Sequence, residues 1–321
     1  MRIVHGSPDG LPDALEQVHP ASRSCVAVGV FDGVHRGHQQ IIAGMVEAAR
    51  AARYLAVALT FDPHPAITLG YEPPPLLTTA EERAELLAAL GLDVLVVLPF
   101  MPAIARTTAA DFVGAMVRHL HLAELWGGPD FAVGHRRAGN AAFLRRLGAR
   151  HGFTVQVVEP LIWEGAPVSS SRVRRALVAG DVHQARGCLG RPYRLAGTVV
   201  RGRSVGRSIG VPTANISPPP ERLVPGGGVY ACLAHTAHQG VHPAVTNIGV
   251  RPTFDTPSDG PAVVVEAHLL DFDADLYGQV LALDFIAHLR AERAFPSTEA
   301  LVAQIHADAA NARAILAQGT S

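Results

Sequence analysis

One short stretch restricts the fold of this chain more than any other, because it joins a buried strand directly to a helix. The small apolar residues 25–31 predict a strand covered on both faces, and a helical pattern begins near Gly37. His35 and His38 lie three residues apart at this corner. The first turn of a helix has unpaired N–H groups and partial positive charge, so such a corner can bind an anion. The stretch therefore predicts a strand-to-helix corner with a phosphate site.

The two histidines suit the chemistry of a reacting phosphate. Imidazoles at positions i and i+3 of a helical turn point to the same side, where both can donate hydrogen bonds to a phosphate whose charge grows in a transition state. Gly33 and Gly37 let the backbone approach a nucleotide closely. The alternative is a tight turn that carries two surface histidines. We favour the phosphate site because the glycines and histidines lie where such a site needs them.

The chain contains no lysine: all 27 basic residues are arginines, against 28 acidic residues. Any phosphate site must therefore use backbone N–H groups, histidine, arginine or a metal ion. A P-loop, which needs its lysine, is excluded. The codon bias of a GC-rich genome would also explain the missing lysine, but the exclusion does not depend on the cause.

Length and charge restrict the class of protein. The 321 residues suffice for two domains that each bury a core, and a net charge of −1 gives no support for a nucleic-acid or membrane-surface partner. The cysteines, Cys25, Cys188 and Cys232, form neither a metal-ligand pattern nor a disulfide framework. The sequence starts without the layout of a signal peptide, and no apolar stretch has membrane-spanning length. We expect a cytoplasmic protein with small-molecule partners. The sequence leaves open how many copies assemble, a homo-oligomer included.

Apolar strand-like runs alternate with helical patterns in the first half of the chain. Strands are predicted at residues 25–31, 54–61, 93–98 and 154–158, with a weaker one near Leu125. Helices are predicted between them at residues 39–52, 80–90, 109–120 and 141–151. Continuous apolar strands separated by helices indicate a parallel sheet covered on both faces, as in a Rossmann-like domain. Ligands bind such a sheet outside the carboxyl ends of its strands.

The pattern changes near residue 190. Two more helices are predicted at residues 170–179 and 182–189. Short β-like runs then alternate with Gly- and Pro-rich turns at residues 195–200, 228–233, 244–248, 263–270 and 280–289, before a final helix at about 297–317. This pattern is typical of a small antiparallel barrel or sandwich. We expect an α/β Rossmann-like domain at residues 1–189 and an antiparallel β-barrel with a terminal helix at residues 190–321.

Two further motifs of the first half suit nucleotide binding. His64 lies between prolines in a stiff loop after the second strand, where it either contacts a phosphate or belongs to a structural loop. Arg172 and Arg174 follow three hydroxyls at the start of a helix, and together they make a second candidate anion pocket. The three hydroxyls belong to Ser169, Ser170 and Ser171. An ordinary capped helix with surface arginines is the alternative.

A Gly-rich stretch at residues 127–139 follows the weak strand near Leu125. Asp130 in this stretch could orient a ribose or a flavin group, and Arg137 could meet a phosphate. A purely surface role for Asp130 stays open.

Residues 202–215, GRSVGRSIGVPTAN, form the most specific motif of the second half. Its glycines predict a loop that a ligand can approach closely. In the extended segment that follows, Thr213 and Asn215 project to one face. Their neutral oxygens suit a Mg²⁺ ion that also binds nucleotide phosphates.

Glu266 lies inside the apolar strand pattern VVVEAHLL. A carboxylate there is costly unless it has partners or a function, and partial burial would suit it as a general base for a primary hydroxyl. The alternative is a strand glutamate that alternation directs to solvent.

These motifs together resemble a known family. The corner fits the pattern GxFDGxHxGH, which is similar to the HxGH signature of nucleotidyltransferases and, in this fuller form, to the N-terminal half of bacterial bifunctional riboflavin kinase/FAD synthetases. Residues 202–215 resemble the riboflavin kinase signature G-x-x-x-G-R-x-x-G-x-P-T-A-N at every fixed position. The resemblance covers about residues 15–315. It implies an FMN adenylyltransferase domain at residues 1–189 and a riboflavin kinase domain at residues 190–321.

The resemblance also implies roles for single residues. In the family the paired histidines stabilise the α-phosphate of ATP while pyrophosphate leaves, the serine-rich segment contacts ATP, and a glutamate at the position of Glu266 is the kinase base. Arg174 falls on the family's arginine and is favoured over Arg172. The other implied ATP or flavin contacts are Gly29, Phe31, Asp32, Gly33, His64, Gly202, Gly206, Arg207, Gly210, Pro212, Asn247 and Arg290.

The implied activity is FAD biosynthesis in two steps: ATP phosphorylates riboflavin to FMN with the help of Mg²⁺, and a second ATP adenylylates FMN to FAD. The sequence departs from the family at Val133, where an aromatic residue is usual, and at Asn140, where an acid is common. Two alternatives stay open, and these departures motivate the first of them. One is a monofunctional riboflavin kinase with a drifted N-terminal domain, and the other is a flavin-binding regulator without turnover.

Overall fold

The computed structural model describes residues 1–6, 11–202, 211–251 and 262–318. The chain forms two compact units, Met1–Ser170 and Ser171–Ser321. The first contains a parallel sheet between helices, and the second contains a closed antiparallel barrel and a final helix. The predicted fold class is therefore confirmed. None of the described helices is long and apolar enough to cross a bilayer.

The strands of the first unit build one parallel sheet and two small antiparallel pairs. In chain order they are β1 (Arg2–His5), β2 (Ser24–Val28), β3 (Leu55–Phe61), β4 (Val94–Leu98), β5 (Leu122–Gly127), β6 (Ala132–Val133), β7 (Gly139–Asn140), β8 (Thr154–Val157), β9 (Ile162–Trp163) and β10 (Ala166–Pro167). The sheet has the order β1-β4-β3-β2-β5-β8. Since its strands are parallel, their carboxyl ends lie along one edge.

Helices cover both faces of this sheet. They are α1 (Leu11–Glu16), α2 (Arg36–Ala52), α3 (Pro65–Thr68), α4 (Ala80–Ala89), α5 (Pro102–Arg106), α6 (Ala109–Leu120) and α7 (Ala141–His151). Successive strand residues enter opposite cores: Val26 packs with residues of α1 and α6, whereas Cys25 and Ala27 pack with residues of α2 and α4. This alternation explains why the strands are apolar along their whole length.

Side-chain caps explain where several helices begin. Thr79 and Glu82 form a capping box at the start of α4, and Thr108 accepts a hydrogen bond from the N–H of Asp111 at the start of α6. Asn140 caps α7 in the same way. Helices α6 and α7 have the bounds that the sequence predicts.

The sequence prediction missed short elements of the first unit. Strand β1 pairs with β4 at the edge of the sheet, and only Val4 of its residues is buried. Helices α1, α3 and α5 have six residues or fewer. Elements this short carry too little periodicity to be recognised, because one helical turn already takes 3.6 residues.

The second unit is a closed barrel with helices before and after it. In chain order its elements are α8 (Ser170–Val178), α9 (Val182–Leu189), β11 (Tyr193–Val200), β12 (Ala214–Ser217), β13 (Gly228–Thr236), β14 (Gly240–Arg251), β15 (Ala262–Leu269), β16 (Val280–Arg290) and α10 (Thr298–Gln318). The strands close in the order β11-β12-β15-β14-β13-β16. The barrel is thus the correct choice between the two predicted β architectures.

Helix α10 covers part of the outer face of the barrel. Ala312 and Leu316 pack against Val229, Ala231 and Val245 of β13 and β14. Because residues of a strand alternate between its two faces, the neighbouring positions of these strands, such as Tyr230 and Thr246, are buried on the other side. At this outer face, polar residues of β14 and β15, together with Thr213 just before β12, line a cavity that is described below.

Candidate active sites

The corner between β2 and α2 brings His35 and His38 into direct contact. Their rings stack with a centroid distance of 3.6 Å and an interplanar angle of 18°. His35 is the N-cap of α2, and its Nδ1 accepts a hydrogen bond from the backbone N–H of His38 at 3.3 Å. A neutral His35 ring therefore carries its proton on Nε2. Both imidazoles lie at the positive end of a 17-residue helix.

His38 has an unusual environment. Its Nδ1 is buried and has no hydrogen-bond partner within the described residues, and its ring meets the edge of Phe31 at 5.3 Å. Burial, the neighbouring His35 and the charge of Arg83 lower the pKa of His38 well below its usual value. The free protein thus holds an uncharged imidazole with an unused polar atom at the site.

The turn before this helix adopts left-handed backbone conformations at Phe31 and Gly33, with φ of 53° and 77°. The Asp32 carboxylate accepts hydrogen bonds from the N–H groups of Leu77 and Thr78 and from the Thr78 hydroxyl, at 3.0–3.1 Å. Asp32 is buried, so its contacts anchor the segment before α4. A Cβ at Gly29 would lie 3.1 Å from the Phe31 ring, which explains the glycine there.

His64 lies on the loop that follows β3, the strand next to β2 in the sheet. It caps the short helix α3, since its Nδ1 accepts from the N–H of Ala66 at 3.2 Å. The carboxyl ends of β2 and β3 are adjacent, so the loop of His64 and the histidine corner emerge from the same edge of the sheet.

The serine-rich segment contacts the same turn through one hydroxyl. Ser170 donates to the carbonyl oxygen of Asp32 at 3.0 Å. Arg172 is buried in helix α8 and Arg174 is half-buried there, both within the second unit. Ser169 is half-buried and Ser171 is exposed.

The Gly-rich loop places its two predicted ligand residues at the surface. Asp130 and Arg137 are exposed, and the Arg137 guanidinium donates to the Asp130 carbonyl oxygen. The two departures from the family have structural explanations. Val133 is buried in the sheet core, and the Asn140 side chain accepts from the N–H of Phe143 at 3.0 Å.

The barrel aligns three polar residues on neighbouring strands. Glu266 of β15 pairs directly with Asn215 of β12 on one side and with Asn247 of β14 on the other. Directly opposed residues project to the same face of a sheet, so the carboxylate lies between two amides. All three side chains are half-buried on the outer face of the barrel. Glu266 is therefore not simply directed to solvent.

A cavity of about 260 Å³ adjoins this row. Its polar lining includes Thr213, Asn247, Glu266, His268, Arg290 and Glu292, and side chains of α10 close one side. The amide of Asn247 donates to Glu292 at 3.3 Å, and a Cβ at Gly249 would collide with the Glu292 carboxylate. The cavity thus combines carboxylates, amides and apolar walls.

The other predicted site residues of this unit either contact neighbouring residues of the chain or lie outside the described residues. Arg290 forms a two-pronged ion pair with the buried Asp308 of α10, at 2.8–3.0 Å, and lies over Phe295. The Pro212 carbonyl is hydrogen-bonded to His268, and a Cβ at Gly202 would collide with the Asn215 amide. The remaining predicted residues of the loop, Gly206, Arg207 and Gly210, lie outside the described residues.

The donor atoms suit a hard cation better than a zinc-like ion. The described residues contain no cluster of three or more His, Cys, Asp or Glu placed to hold a metal. The hydroxyl of Thr213 and the amide of Asn215 are instead oxygen donors of the kind that Mg²⁺ accepts, and Asn215 pairs with Glu266 on the next strand.

Sequence reasoning missed three residues of these sites. Thr78 and Arg83 are buried beside the histidine corner, and Glu292 lines the barrel cavity. Arg83 belongs to a helix whose pattern, AEERAELL, is typical of a charged surface face, so no local signal marks it. Glu292 lies two residues after Arg290, which the resemblance does mark as a ligand contact.

Comparisons with known proteins identify both halves. Residues 18–172 match the FAD synthetase family and residues 189–316 match the riboflavin kinase family. The bifunctional riboflavin kinase/FMN adenylyltransferase of Pseudomonas fluorescens is 40% identical over 99% of this chain and 98% of its own length. The enzyme of the same name from Listeria monocytogenes is 33% identical over 91% of this chain and 92% of its own length.

A solved structure supports the fold along the whole chain. It is described as a macrolide-efflux protein from Streptococcus pneumoniae, and it matches with a TM-score of 0.86 at 28% identity, over 98% of this chain and 99% of that one. The FAD synthetase match also disfavours a kinase with a drifted first domain, and neither alternative to the bifunctional enzyme gains support. The chain therefore belongs to the bifunctional riboflavin kinase/FMN adenylyltransferase family, with both ATP-dependent transferase activities of FAD biosynthesis.

Proposed function

We propose that the two reactions are divided between the two halves of the chain, with a functional boundary near residue 190. FMN would be adenylylated at the carboxyl edge of the parallel sheet, and riboflavin would be phosphorylated on the outer face of the barrel. The stacked histidine pair at the start of α2 and the half-buried Glu266 between two amides carry this proposal. The two family matches, which end and begin at residues 172 and 189, support the boundary.

His35 and His38 would act on the α-phosphate of ATP. A phosphate oxygen of FMN attacks this phosphorus, and the bond to the leaving pyrophosphate breaks. No base is needed, because the attacking oxygen is already ionised. The task is to stabilise the charge that grows on the α-phosphate oxygens, and two imidazoles at a helix N-terminus donate hydrogen bonds there.

The other first-half residues would complete this site. The backbone around Gly29, Phe31 and Gly33 would approach the nucleotide, with Asp32 holding the turn in place. His64, Ser169 and Ser170 would meet phosphate oxygens. The resemblance gives ATP contacts to Ser171 and Arg174 as well. Asp130 and Arg137 would contact flavin or ribose from the surface loop.

Glu266 would be the general base of the kinase reaction. It would take the proton of the ribityl 5′-hydroxyl as that oxygen attacks the γ-phosphorus of ATP and ADP leaves. Asn247 and Arg290, together with Phe295, would orient riboflavin in the cavity. Gly202, Gly206, Arg207, Gly210 and Pro212 would approach ATP.

Thr213 and Asn215 would hold Mg²⁺. Because their oxygens are neutral, these two ligands would not cancel the positive charge of the ion. The carboxylate of Glu266 lies on the strand next to Asn215. When bound, the ion neutralises charge on the transferring phosphates. The close approach of Gly202 fixes the Asn215 amide for this role.

The cysteines support a reducing compartment. Cys25, Cys188 and Cys232 are all free and buried. Since free thiols are typical of a reducing environment, we place the enzyme in the cytoplasm.

A time course with riboflavin and Mg-ATP, followed by chromatography, tests the assignment. His38→Ala should accumulate FMN, because only its adenylylation is blocked. Glu266→Gln should leave riboflavin unchanged and still convert added FMN to FAD.

The exposed His151 and Glu221 provide matched controls. His151→Ala and Glu221→Gln should behave as wild type. FAD formation by His38→Ala at the wild-type rate, or FMN formation by Glu266→Gln at that rate, would refute the corresponding role.

A further inference from the structure

Arg83 of helix α4 is a buried cation that the proposed chemistry does not use. Only 3% of its surface is exposed. A buried guanidinium is costly unless it is paired, and such residues are concentrated at functional sites. Arg83 therefore requires an explanation.

The contacts of Arg83 are to neutral atoms. Its Nη1 donates to the Thr60 hydroxyl and to the Phe61 carbonyl, each at 3.2 Å. Its Nε is buried without a partner, and no carboxylate of the described chain forms an ion pair with it. Asp32, Asp62 and Glu81 act on it only at longer range. Three carboxylates thus favour the positive charge from a distance, and none of them forms a direct ion pair with it.

The segment that carries Arg83 is hydrogen-bonded both to the turn that precedes His35 and to the end of β3. Thr78 binds the Asp32 carboxylate at 3.0 Å and accepts from the N–H of Gly33 at 3.0 Å. The Thr60 hydroxyl that Arg83 contacts donates in turn to the Val30 carbonyl at 3.0 Å. Residues 77–83 consequently tie the end of β3 to the turn that precedes His35 and His38.

The charge of Arg83 also acts on the histidine pair. Burial is the main cause of the lowered pKa of His38, His35 is the second, and Arg83 adds to both. The other charged or titratable groups around this corner are His35 and Arg36 on α2, Asp32 on the turn, Asp62 and His64 after β3, Glu81 and Glu82 on α4, and Glu164 on the β9–β10 turn.

We propose that Arg83 is a positioning residue for adenylyl transfer, because its hydrogen bonds tie the end of β3 to the turn that precedes His35 and His38. This proposal rests on the proposed role of His38. The negative charge of a bound triphosphate opposes the charge of Arg83, so the His38 ring would accept positive charge more readily with substrate bound than in the free protein.

Three substitutions test this proposal: Arg83→Gln, Arg83→Lys and, as matched control, Arg146→Gln at an exposed arginine of α7. Two quantities are measured between about pH 5 and pH 8. One is kcat/KM for FAD formation from FMN, with riboflavin phosphorylation by the same sample as the internal reference. The other is the NMR titration of the His38 ring, assigned by its loss in His38→Ala.

Arg83→Gln should lower FAD formation about a hundredfold, as expected for a small misplacement of reacting groups. It should also move the His38 titration to higher pH, since a repelling charge is removed. Arg83→Lys keeps the positive charge but loses the planar guanidinium with its several N–H donors. The His38 titration should therefore stay near that of the wild type, and the rate of FAD formation should fall less than in Arg83→Gln. Arg146→Gln should change neither quantity.

An unchanged His38 titration in Arg83→Gln would overturn the proposal, even if the rate falls. So would a displaced titration in Arg83→Lys, which keeps the charge and remains informative if Arg83→Gln fails to fold. If His38→Ala forms FAD at the wild-type rate, the proposed function of the histidine pair fails instead. These outcomes separate the two claims.

Discussion

At the scale of single residues, His38 shows how burial and sequence position combine. Its spacing from His35 brings the two rings together on the first turn of α2, where they stack. The surroundings then decide its protonation state, because the buried ring loses the solvation that a charged imidazole needs. In the free protein, the neutral ring of His38 can form hydrogen bonds, but it takes up a second proton only at a pH well below the usual pKa of histidine.

This state predicts a pH-dependent stability. The usual pKa of histidine is near 6.5, and that of His38 is lower in the folded chain. Below pH 6.5 the unfolded chain takes up a proton at this position before the folded chain does, so stability should decrease as pH falls, by up to about 1.4 kcal/mol per pH unit. Urea unfolding at several pH values measures this slope.

The variant His38→Gln should show a smaller slope than the wild type, because it removes this proton uptake. His151→Gln, at an exposed position, should keep the wild-type slope. Equal slopes in wild type and His38→Gln would contradict the buried, uncharged state.

At the scale of elements, helix α10 forms one wall of the cavity beside the barrel. It packs on the barrel through Ala312 and Leu316, and it is linked to β16 by the ion pair between Arg290 and the buried Asp308. Gln304 also donates to Asp308, at 2.7 Å. The helix therefore depends on one buried carboxylate as well as on apolar contacts.

Asp308→Asn should weaken this attachment. It leaves the mostly buried Arg290 without its counter-charge, at a cost of about 2–3 kcal/mol, near the lower limit for breaking a buried pair. Riboflavin binding should weaken as the cavity wall loosens, which the KM for riboflavin and urea unfolding both report.

The matched control is Asp271→Asn, which removes the exposed ion pair between Asp271 and Arg313 of α10. An exposed pair contributes less than about 1 kcal/mol, so this variant should stay near wild type. Equal effects of the two substitutions would show that Asp308 does not anchor the helix.

At the scale of the whole molecule, the proposed division assigns one of the two reactions to each half of the chain, with FMN as the shared intermediate. Each unit has its own sheet and its own core, and each matches its own family. FMN is the product of one site and the substrate of the other. Substitutions in one unit should thus spare the reaction of the other.

A mixture of His38→Ala and Glu266→Gln should therefore form FAD from riboflavin and Mg-ATP. The first variant makes FMN and releases it, and the second adenylylates it, so FAD should appear after a lag in which FMN accumulates. Chromatography of timed samples follows all three flavins. If the mixture forms FMN but no FAD, FMN does not pass between molecules, and the two reactions are coupled within one chain.

The sequence by itself determined the architecture, because the relevant signals are local and repetitive. Apolar strands alternating with amphipathic helices predicted the parallel sheet, and short strands between Gly- and Pro-rich turns predicted the barrel. Capped helices such as α6 and α7 were predicted to the residue. Resemblance in motifs added the two activities, which the family matches bear out.

Only the tertiary structure decided which side chains share a site and which of them are buried. The row of Asn215, Glu266 and Asn247 depends on strand register, which joins residues up to 51 positions apart in the order β12-β15-β14. Arg83 looks like a surface residue in its helix and becomes a buried cation because α4 packs beside the ends of β2 and β3. Local periodicity follows from the geometry of one element, whereas register and burial follow from contacts between elements distant in sequence.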